Sequence, residues 1–205
     1  MKIKKCRVCN SRLLQQLFSL GKMKFTGKFP KKNQFIPSGD VNLVMCNKCR
    51  LVQLKDNFNL RFLYNNDYGY RTGINSTMRN HVKYVVNKIT KKAKLKNKDY
   101  VLDIASNDGT LLNYYKNKIN TFGIDPLINK YKKNYKKINY KISDFFSYKN
   151  ISKIDEDIKF KAITALSVFY DLKDPQNFLK DIKKVLHKDG IFNLEFADLK
   201  LILKN

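Results

Sequence analysis

The carboxylates, hydroxyls and glycine between Asp103 and Asp125 have the types and spacing to do chemistry. The run Val101-Leu-Asp-Ile-Ala-Ser-Asn-Asp-Gly-Thr-Leu-Leu112 is followed by Gly123-Ile-Asp-Pro126. Asp125 comes about 20 residues after Asp103, where nucleotide-binding βαβ units place the carboxylate that takes ribose hydroxyls. Gly109 lets the backbone approach a ligand closely. Ala105, Ser106 and Asn107 fill the turn where a dinucleotide fingerprint carries glycines, so a pyrophosphate cofactor such as NAD or FAD is disfavoured. A turn rich in Asn and Asp with one glycine suits a ligand with an amino-acid end and a ribose, and S-adenosylmethionine is such a ligand. The alternative is an ordinary αβ turn with an incidental aspartate.

The four cysteines form the second constellation. They fall as Cys6-x-x-Cys9 and Cys46-x-x-Cys49, with none left over. Two such pairs fit a tetrahedral four-thiolate zinc site, closed to substrate and therefore structural. Disulfides or unrelated free thiols are the alternatives. The interval between the pairs carries Gly21, Gly27, Pro30, Pro37 and Gly39, a turn-rich insert that needs a staple.

These residues must be held by elements. Tyr100 to Ile104 is an apolar run broken only by Asp103, as in an inner parallel strand. Asp108 and Thr110 suit a helix start, with Leu111, Leu112 and Tyr115 facing the core. Further strands are expected at Asn139 to Ile142, Ala162 to Leu166 and Ile191 to Phe196. Helices are expected from a Ser76 cap, with Met78, Val82, Val85 and Ile89 on one side, and over Asp174 to Leu186 with Gly190 ending it. His187 beside that helix end suits the dipole. The alternation predicts an α/β fold with a Rossmann-like sheet of five parallel strands. Residues 1–55 read as a zinc-binding module, 56–98 as a connector and helix, and 99–205 as the cofactor domain.

Composition narrows the function classes. The 205 residues carry a formal net charge of +25, but of 42 basic side chains six are Arg, all before residue 80. Arg is the residue expected at phosphate or guanine contacts, so nucleic acid is disfavoured and runs such as Lys130 to Lys137 read as solvated surface. A zinc-ribbon RNA-binding protein or RNA methyltransferase is the rival reading. No apolar run reaches the ~18 residues of a membrane span and no signal-peptide core is present, which points to a cytoplasmic protein. A monomer or weak self-association is expected.

The order of Cys6-x-x-Cys9, Leu20-Gly21, Phe25-Thr-Gly-Lys-Phe-Pro30, Cys46-x-x-Cys49, Leu51-Val-Gln-Leu54, Tyr68-Gly-Tyr70, Ser76-x-Met78-x-x-His81, Ser106-Asn-Asp-Gly109 and Gly123-Ile-Asp-Pro126 resembles the sugar C-methyltransferases. In that family a zinc-binding module precedes a class I S-adenosylmethionine-dependent domain, and a ring carbon beside the ketone of a nucleotide-linked 4-keto-deoxysugar is methylated. The resemblance implies that Asp103 and Ser106, Asn107, Asp108 and Gly109 wrap the methionine end. It places Asp125 on the ribose, Asp144 and Phe145 by the adenine and Ser167 at the cofactor, with Tyr68, Tyr70 and His81 near the sugar pocket. It departs at Ser167-Val-Phe-Tyr-Asp171, where Asp171 stands for a histidine. The family's general base belongs to a His-Glu-His segment that would follow Asn205, and its sheet has seven strands. The chain is therefore expected to be a fragment that binds cofactor better than it turns over, or a non-catalytic cofactor-binding remnant.

Overall fold

The computed structural model describes residues 2–25, 27, 29–30, 33–202 and 204. Thr26 and Lys28 of the Phe25–Pro30 run, and Asn205, lie outside the described residues. The chain divides into two units, residues 1–70 with 173–176, and residues 71–172 with 177–205.

The smaller unit is an antiparallel sheet of β1 (Leu14–Lys24), β2 (Ser38–Cys46) and β3 (Val52–Leu54) in that spatial order, followed by the short helix α1 (Leu60–Leu63). The turn-rich insert is thus a β-hairpin. Gly21, at φ 69°, sits where the β1–β2 register shifts between Ser19 and Lys22, so it makes a bulge rather than a turn between elements. Almost all of β1 is exposed, and before residue 70 the buried hydrophobics among the described residues are Cys6, Val44 and Cys46. So little apolar burial cannot hold 70 residues without a cross-link.

The larger unit begins with α2 (Ser76–Lys92), capped by the Asn75 side chain on the Thr77 and Met78 amides rather than by Ser76. Its sheet is parallel, in the order β6 (Tyr140–Ile142), β5 (Asn120–Ile124), β4 (Tyr100–Ile104), β7 (Phe160–Leu166), β8 (Leu186–Glu195). The strand order reverses between β4 and β7, and ligands bind outside the carboxyl ends at such a point. Period-two alternation assigns the faces. Val101 and Ala162 pack under Val82, Val86 and Ile89 of α2. Leu102, Ile104, Phe122, Ile163 and Ala165 pack on the other side, against Ile151 of α3 (Tyr148–Ser152) and Phe178, Ile182 and Val185 of α4 (Pro175–Val185). A short α5 (Leu199–Ile202) follows β8.

Two expectations change. The segment after β4 forms a single 3₁₀ turn at Leu112–Tyr114 instead of an α-helix, although Leu111, Leu112 and Tyr115 are buried as expected. Gly190 lies inside β8, not at a helix end. A Cβ there would come 2.8 Å from the Phe160 carbonyl oxygen, so this glycine lets β8 pass close to β7. His187 Nδ1 accepts the Asp189 amide at 3.1 Å, so the ring serves a local turn. Among the described residues no helix is long and apolar enough to cross a membrane.

Candidate functional site

The two cysteine pairs adopt the same turn. Asn10 N–H donates to the Cys6 carbonyl (3.1 Å) and Arg50 N–H to the Cys46 carbonyl (2.8 Å), with Asn10 at φ 58° and Arg50 at φ 63°. Cys6 and Cys46 in turn donate their amides to Ser11 and Leu51. This brings the four sulfurs within 4.8 Å of one another, with Cys6–Cys49 at 3.6 Å and Cys9–Cys46 at 3.5 Å. A tetrahedron with Zn–S bonds near 2.3 Å has sulfurs roughly 3.8 Å apart, so the set fits zinc. Burial raises the Cys6 thiol, but the Cys9 and Val8 amides and Gln53 outweigh it and hold Cys6 at about 6. Cys49 moves the other way. The Leu51 amide favours its thiolate, yet burial and the neighbouring sulfurs push it up to about 12. Four thiolates so close cannot all ionise without a cation to compensate them. Gln53 Nε2 donates to Cys6 Sγ (3.3 Å), and Arg7 holds Gln53 Oε1 through Nη1 at 3.1 Å.

The other constellation sits at the carboxyl ends of β4 and β5. Asp103, on the α2 side of β4, is in register with Gly123 and Thr164, and accepts the Thr164 hydroxyl at 2.5 Å. Asp125 accepts two backbone amides, Asn107 at 2.9 Å and Leu127 at 2.6 Å. Asp108 is fully buried and is held by Thr110 Oγ1 (2.6 Å), the Gly73 amide (3.1 Å) and Arg71 Nε (2.8 Å). Ser106 Oγ meets Tyr135 Oη at 2.8 Å, and that phenol donates to the Asn107 carbonyl at 3.0 Å. Tyr135 is the fully buried residue hidden in the Lys-rich run read as surface. Gly123 makes room for it, since a Cβ there would lie 2.8 Å from its ring and 3.1 Å from Ser106 Oγ.

Three non-glycine residues are left-handed at the strand ends flanking the order reversal: Ala105 (φ 58°), Asn107 (φ 50°) and Ser167 (φ 54°). Such geometry costs of order 1–3 kcal/mol per residue and concentrates at ligand sites. Ser167 N–H donates to the Glu195 carbonyl at 2.8 Å, tying the end of β7 to that of β8. Asp144 follows β6 and accepts the Phe145 amide (2.8 Å) and Asn150 Nδ2 (3.3 Å). Phe146 turns into the core against Phe178, 5.2 Å between ring centres.

Burial raises the Asp103 carboxyl to about 7; the Thr164 hydroxyl opposes the shift and the Asp125 charge adds to it. Asp125 is pushed up to about 6, by burial first, against the Leu127 and Asn107 amides and with the Asp108 charge. Both folded values lie above the unfolded carboxyl range. Protonation of these groups therefore stabilises the fold fully below a pH of about 4, and the contribution is lost as pH rises through about 6 to 7. Asp103→Asn is expected to flatten the fall in melting temperature between roughly pH 4 and pH 7. Thermal unfolding across that window checks it, and an unchanged slope would show that Asp103 titrates normally.

His81, on α2, points its Nε2 at Glu195 Oε2, 2.7 Å away at the end of β8, with both side chains a little over one-third exposed. Glu195 carried no recognisable signal, because its partner is 114 residues away. Tyr68 and Tyr70 belong to the smaller unit. Tyr68 packs edge-on to Tyr64 (5.0 Å) beside Gly27, and Tyr70 is half-exposed. Asp171, standing where a histidine was expected, closes a 3₁₀ turn over Phe169–Asp171. Arg71, Thr72 and Gly73 were also missed. All three hydrogen-bond the 107–108 turn, Thr72 through its amide to Asn107 Oδ1 at 2.9 Å.

Comparison with known proteins bears on both constellations. The fold resembles that of the plantazolicin methyltransferase BpumL, whose structure holds a pentazolic desmethylPZN analog and SAH. Identity is 18%, the TM-score 0.52, and 64% of this chain and 52% of that chain are covered, so this chain spans about half of that protein's length. A precorrin-6y C5,15-methyltransferase from Geobacter metallireducens GS-15 is more distant, at 11% identity and TM-score 0.46 over 66% of this chain and 71% of that one. The comparison with curated proteins found no match. Residues 6–64, which include all four cysteines, match a family model described as "Putative zinc binding domain". Residues 69–201, more than half of the chain, match the model described as "Methyltransferase domain", and the chain belongs to that methyltransferase family.

Proposed function

We propose that the chain takes part in S-adenosylmethionine-dependent methylation of a ring carbon beside the ketone of a nucleotide-linked 4-keto-deoxysugar. The cofactor, when bound, supplies an electrophilic methyl group on a sulfonium. The observation that carries the cofactor half is the gathering of Asp103, Asp108 and Asp125 around a turn with Ala105, Asn107 and Gly109 left-handed, beside the strand-order reversal. Asp125 keeps lone pairs for ribose hydroxyls after its two amide bonds, Asp144 and Phe145 would flank the adenine, and Ser106 to Gly109 with Ser167 would enclose the methionine end. Residues 1–55 would serve as the zinc module, 56–98 as a connector and helix carrying the candidate acceptor residues Tyr68, Tyr70 and His81, and 99–205 as the cofactor domain.

The acceptor half rests on the motif order of the sequence and on the His81–Glu195 pair. With Nε2–H donated to Glu195, His81 Nδ1 is the basic nitrogen. It would take the acidic proton beside the ketone, and the resulting enolate would attack the methyl carbon while the carbon–sulfur bond breaks. With His81 as a base within the chain, this reading expects turnover where the sequence alone led to the expectation of cofactor binding without it: a dTDP-linked 4-keto-6-deoxy sugar incubated with protein and S-adenosylmethionine should gain one methyl group by mass spectrometry.

The cofactor half has its own test. Asp125→Ala removes a charged acceptor from the ribose and is expected to weaken S-adenosylhomocysteine binding by ~1.5–3 kcal/mol. Unchanged affinity by calorimetry, or preferential binding of NAD, would overturn the cofactor reading.

A further inference from the structure

The cofactor turn is strongly acidic, and Arg71, a cation paired with it, is held in an unusual way. Three carboxylates, Asp103, Asp108 and Asp125, are buried there. Arg71 is a cation hydrogen-bonded to the 105–110 segment. Its Nε donates to Asp108 Oδ2 at 2.8 Å, and its Cζ lies 5.5 Å from the centre of the Tyr131 ring. One edge of the guanidinium is therefore fixed by a buried carboxylate and one side by an aromatic ring. The two terminal nitrogens make no hydrogen bond among the described residues, and the side chain is 39% exposed.

The backbone that carries Arg71 is fixed as firmly. Thr72 and Gly73 donate their amides to Asn107 and Asp108, and Arg79 Nη1 donates to the carbonyls of Gly73 and Ile74, both at 2.8 Å. A Cβ on Gly73 would meet Thr110 Oγ1 at 2.6 Å and Asp108 Oδ2 at 2.7 Å, so this strap lies flat on the turn. Residues 71–73 thus present a pre-aligned pair of donors over the part of the site that would receive the methionine end.

The geometry points to Arg71 as the group that binds the α-carboxylate of the cofactor's amino-acid tail, through its terminal nitrogens, with Asp108 and Tyr131 holding it in position. The tail brings an ammonium and a carboxylate, and the buried aspartates of the turn can answer only the positive charges. A lone anion placed among three carboxylates needs a cation, and a guanidinium already fixed on one edge loses little freedom in forming a forked pair with it. The strap then makes the site read the tail as well as the nucleoside.

This assignment rests on the cofactor reading, and ligand pairs separate the two. S-adenosylhomocysteine carries the carboxylate; 5′-methylthioadenosine has the same nucleoside without the amino-acid end. Calorimetry on the full chain is expected to give Arg71→Gln a roughly 10- to 100-fold loss for S-adenosylhomocysteine and less than about a twofold change for methylthioadenosine. Arg71→Lys keeps the charge beside Asp108 and loses the fork, and is expected to lower the same ratio while preserving the fold. Equal weakening of both ligands in the two variants would make Arg71 a support for the turn and overturn the assignment. An unchanged ratio would overturn it as well. Failure of the unsubstituted protein to bind either ligand would overturn the cofactor reading, and this assignment with it.

Discussion

Stripping zinc with a chelator is expected to unfold the smaller unit while the larger one stays folded. Structural zinc in small domains contributes an apparent ~10–16 kcal/mol at neutral pH. Among the described residues before Tyr70 the buried hydrophobics are Val44 and two of the cysteines themselves, and β1 is exposed along almost its whole length. Nothing in that inventory approaches the contribution of the metal. The larger unit has two extensive apolar clusters, one on each face of its sheet, and does not depend on it. Elemental analysis of the purified protein should find about one zinc per chain, as one closed set of four thiolates implies. Cys46→Ala should lose it. In amide spectra, signals from residues before Tyr70 should collapse on metal removal and those of the β4–β7 core should persist. Retention of full zinc by Cys46→Ala, or an N-terminal unit indifferent to chelation, would refute the site.

Much of this was legible because the signals were local. Two knuckles of identical spacing announced a four-thiolate site, and their shared turn geometry is the physical content of that spacing. The β4 run with its one buried acid was readable because an inner parallel strand must be apolar on both faces. The 3₁₀ turn at Leu112–Tyr114 shows where local signals end. Leu112 and Tyr115 are three apart, and that spacing satisfies a 3₁₀ turn as well as an α-helix. Asn75 and Ser76 are both competent caps, so composition alone could not choose between them. Gly190 looked like a helix stop because both a helix end and a close strand approach require the missing Cβ. Tyr135 and Glu195 were invisible for another reason. Their partners, Ser106 and His81, are 29 and 114 residues away, and only the closed fold brings them together.

The His81–Glu195 pair carries the prediction with the largest kinetic effect. The two side chains meet at the carboxyl end of β8, two strand spacings, roughly 10 Å, from β4 and its turn. A general base contributes about 10²–10⁴-fold to a proton transfer, so in the proposed reaction His81→Ala is expected to slow removal of the acidic sugar proton by that order. Glu195→Gln keeps a hydrogen-bond acceptor but removes the charge that would stabilise the imidazolium of the proposed base. Its expected cost is ~1.5–3 kcal/mol, or about 10- to 150-fold. The readout is exchange of the protons flanking the ketone of dTDP-4-keto-6-deoxyglucose in heavy water, followed by NMR. This isolates proton removal from methyl transfer, and S-adenosylhomocysteine binding should stay the same in both variants, because the two side chains pair with each other and the Glu195 tie to Ser167 is through its backbone carbonyl. Imidazole added to His81→Ala should restore part of the exchange, an effect that repair of a merely structural defect would not produce. Full-rate exchange by His81→Ala would remove His81 as the base and send the search to Tyr68 and Tyr70. Failure of the unsubstituted protein to exchange these protons at all would instead count against a keto sugar as the acceptor, leaving the cofactor site untouched.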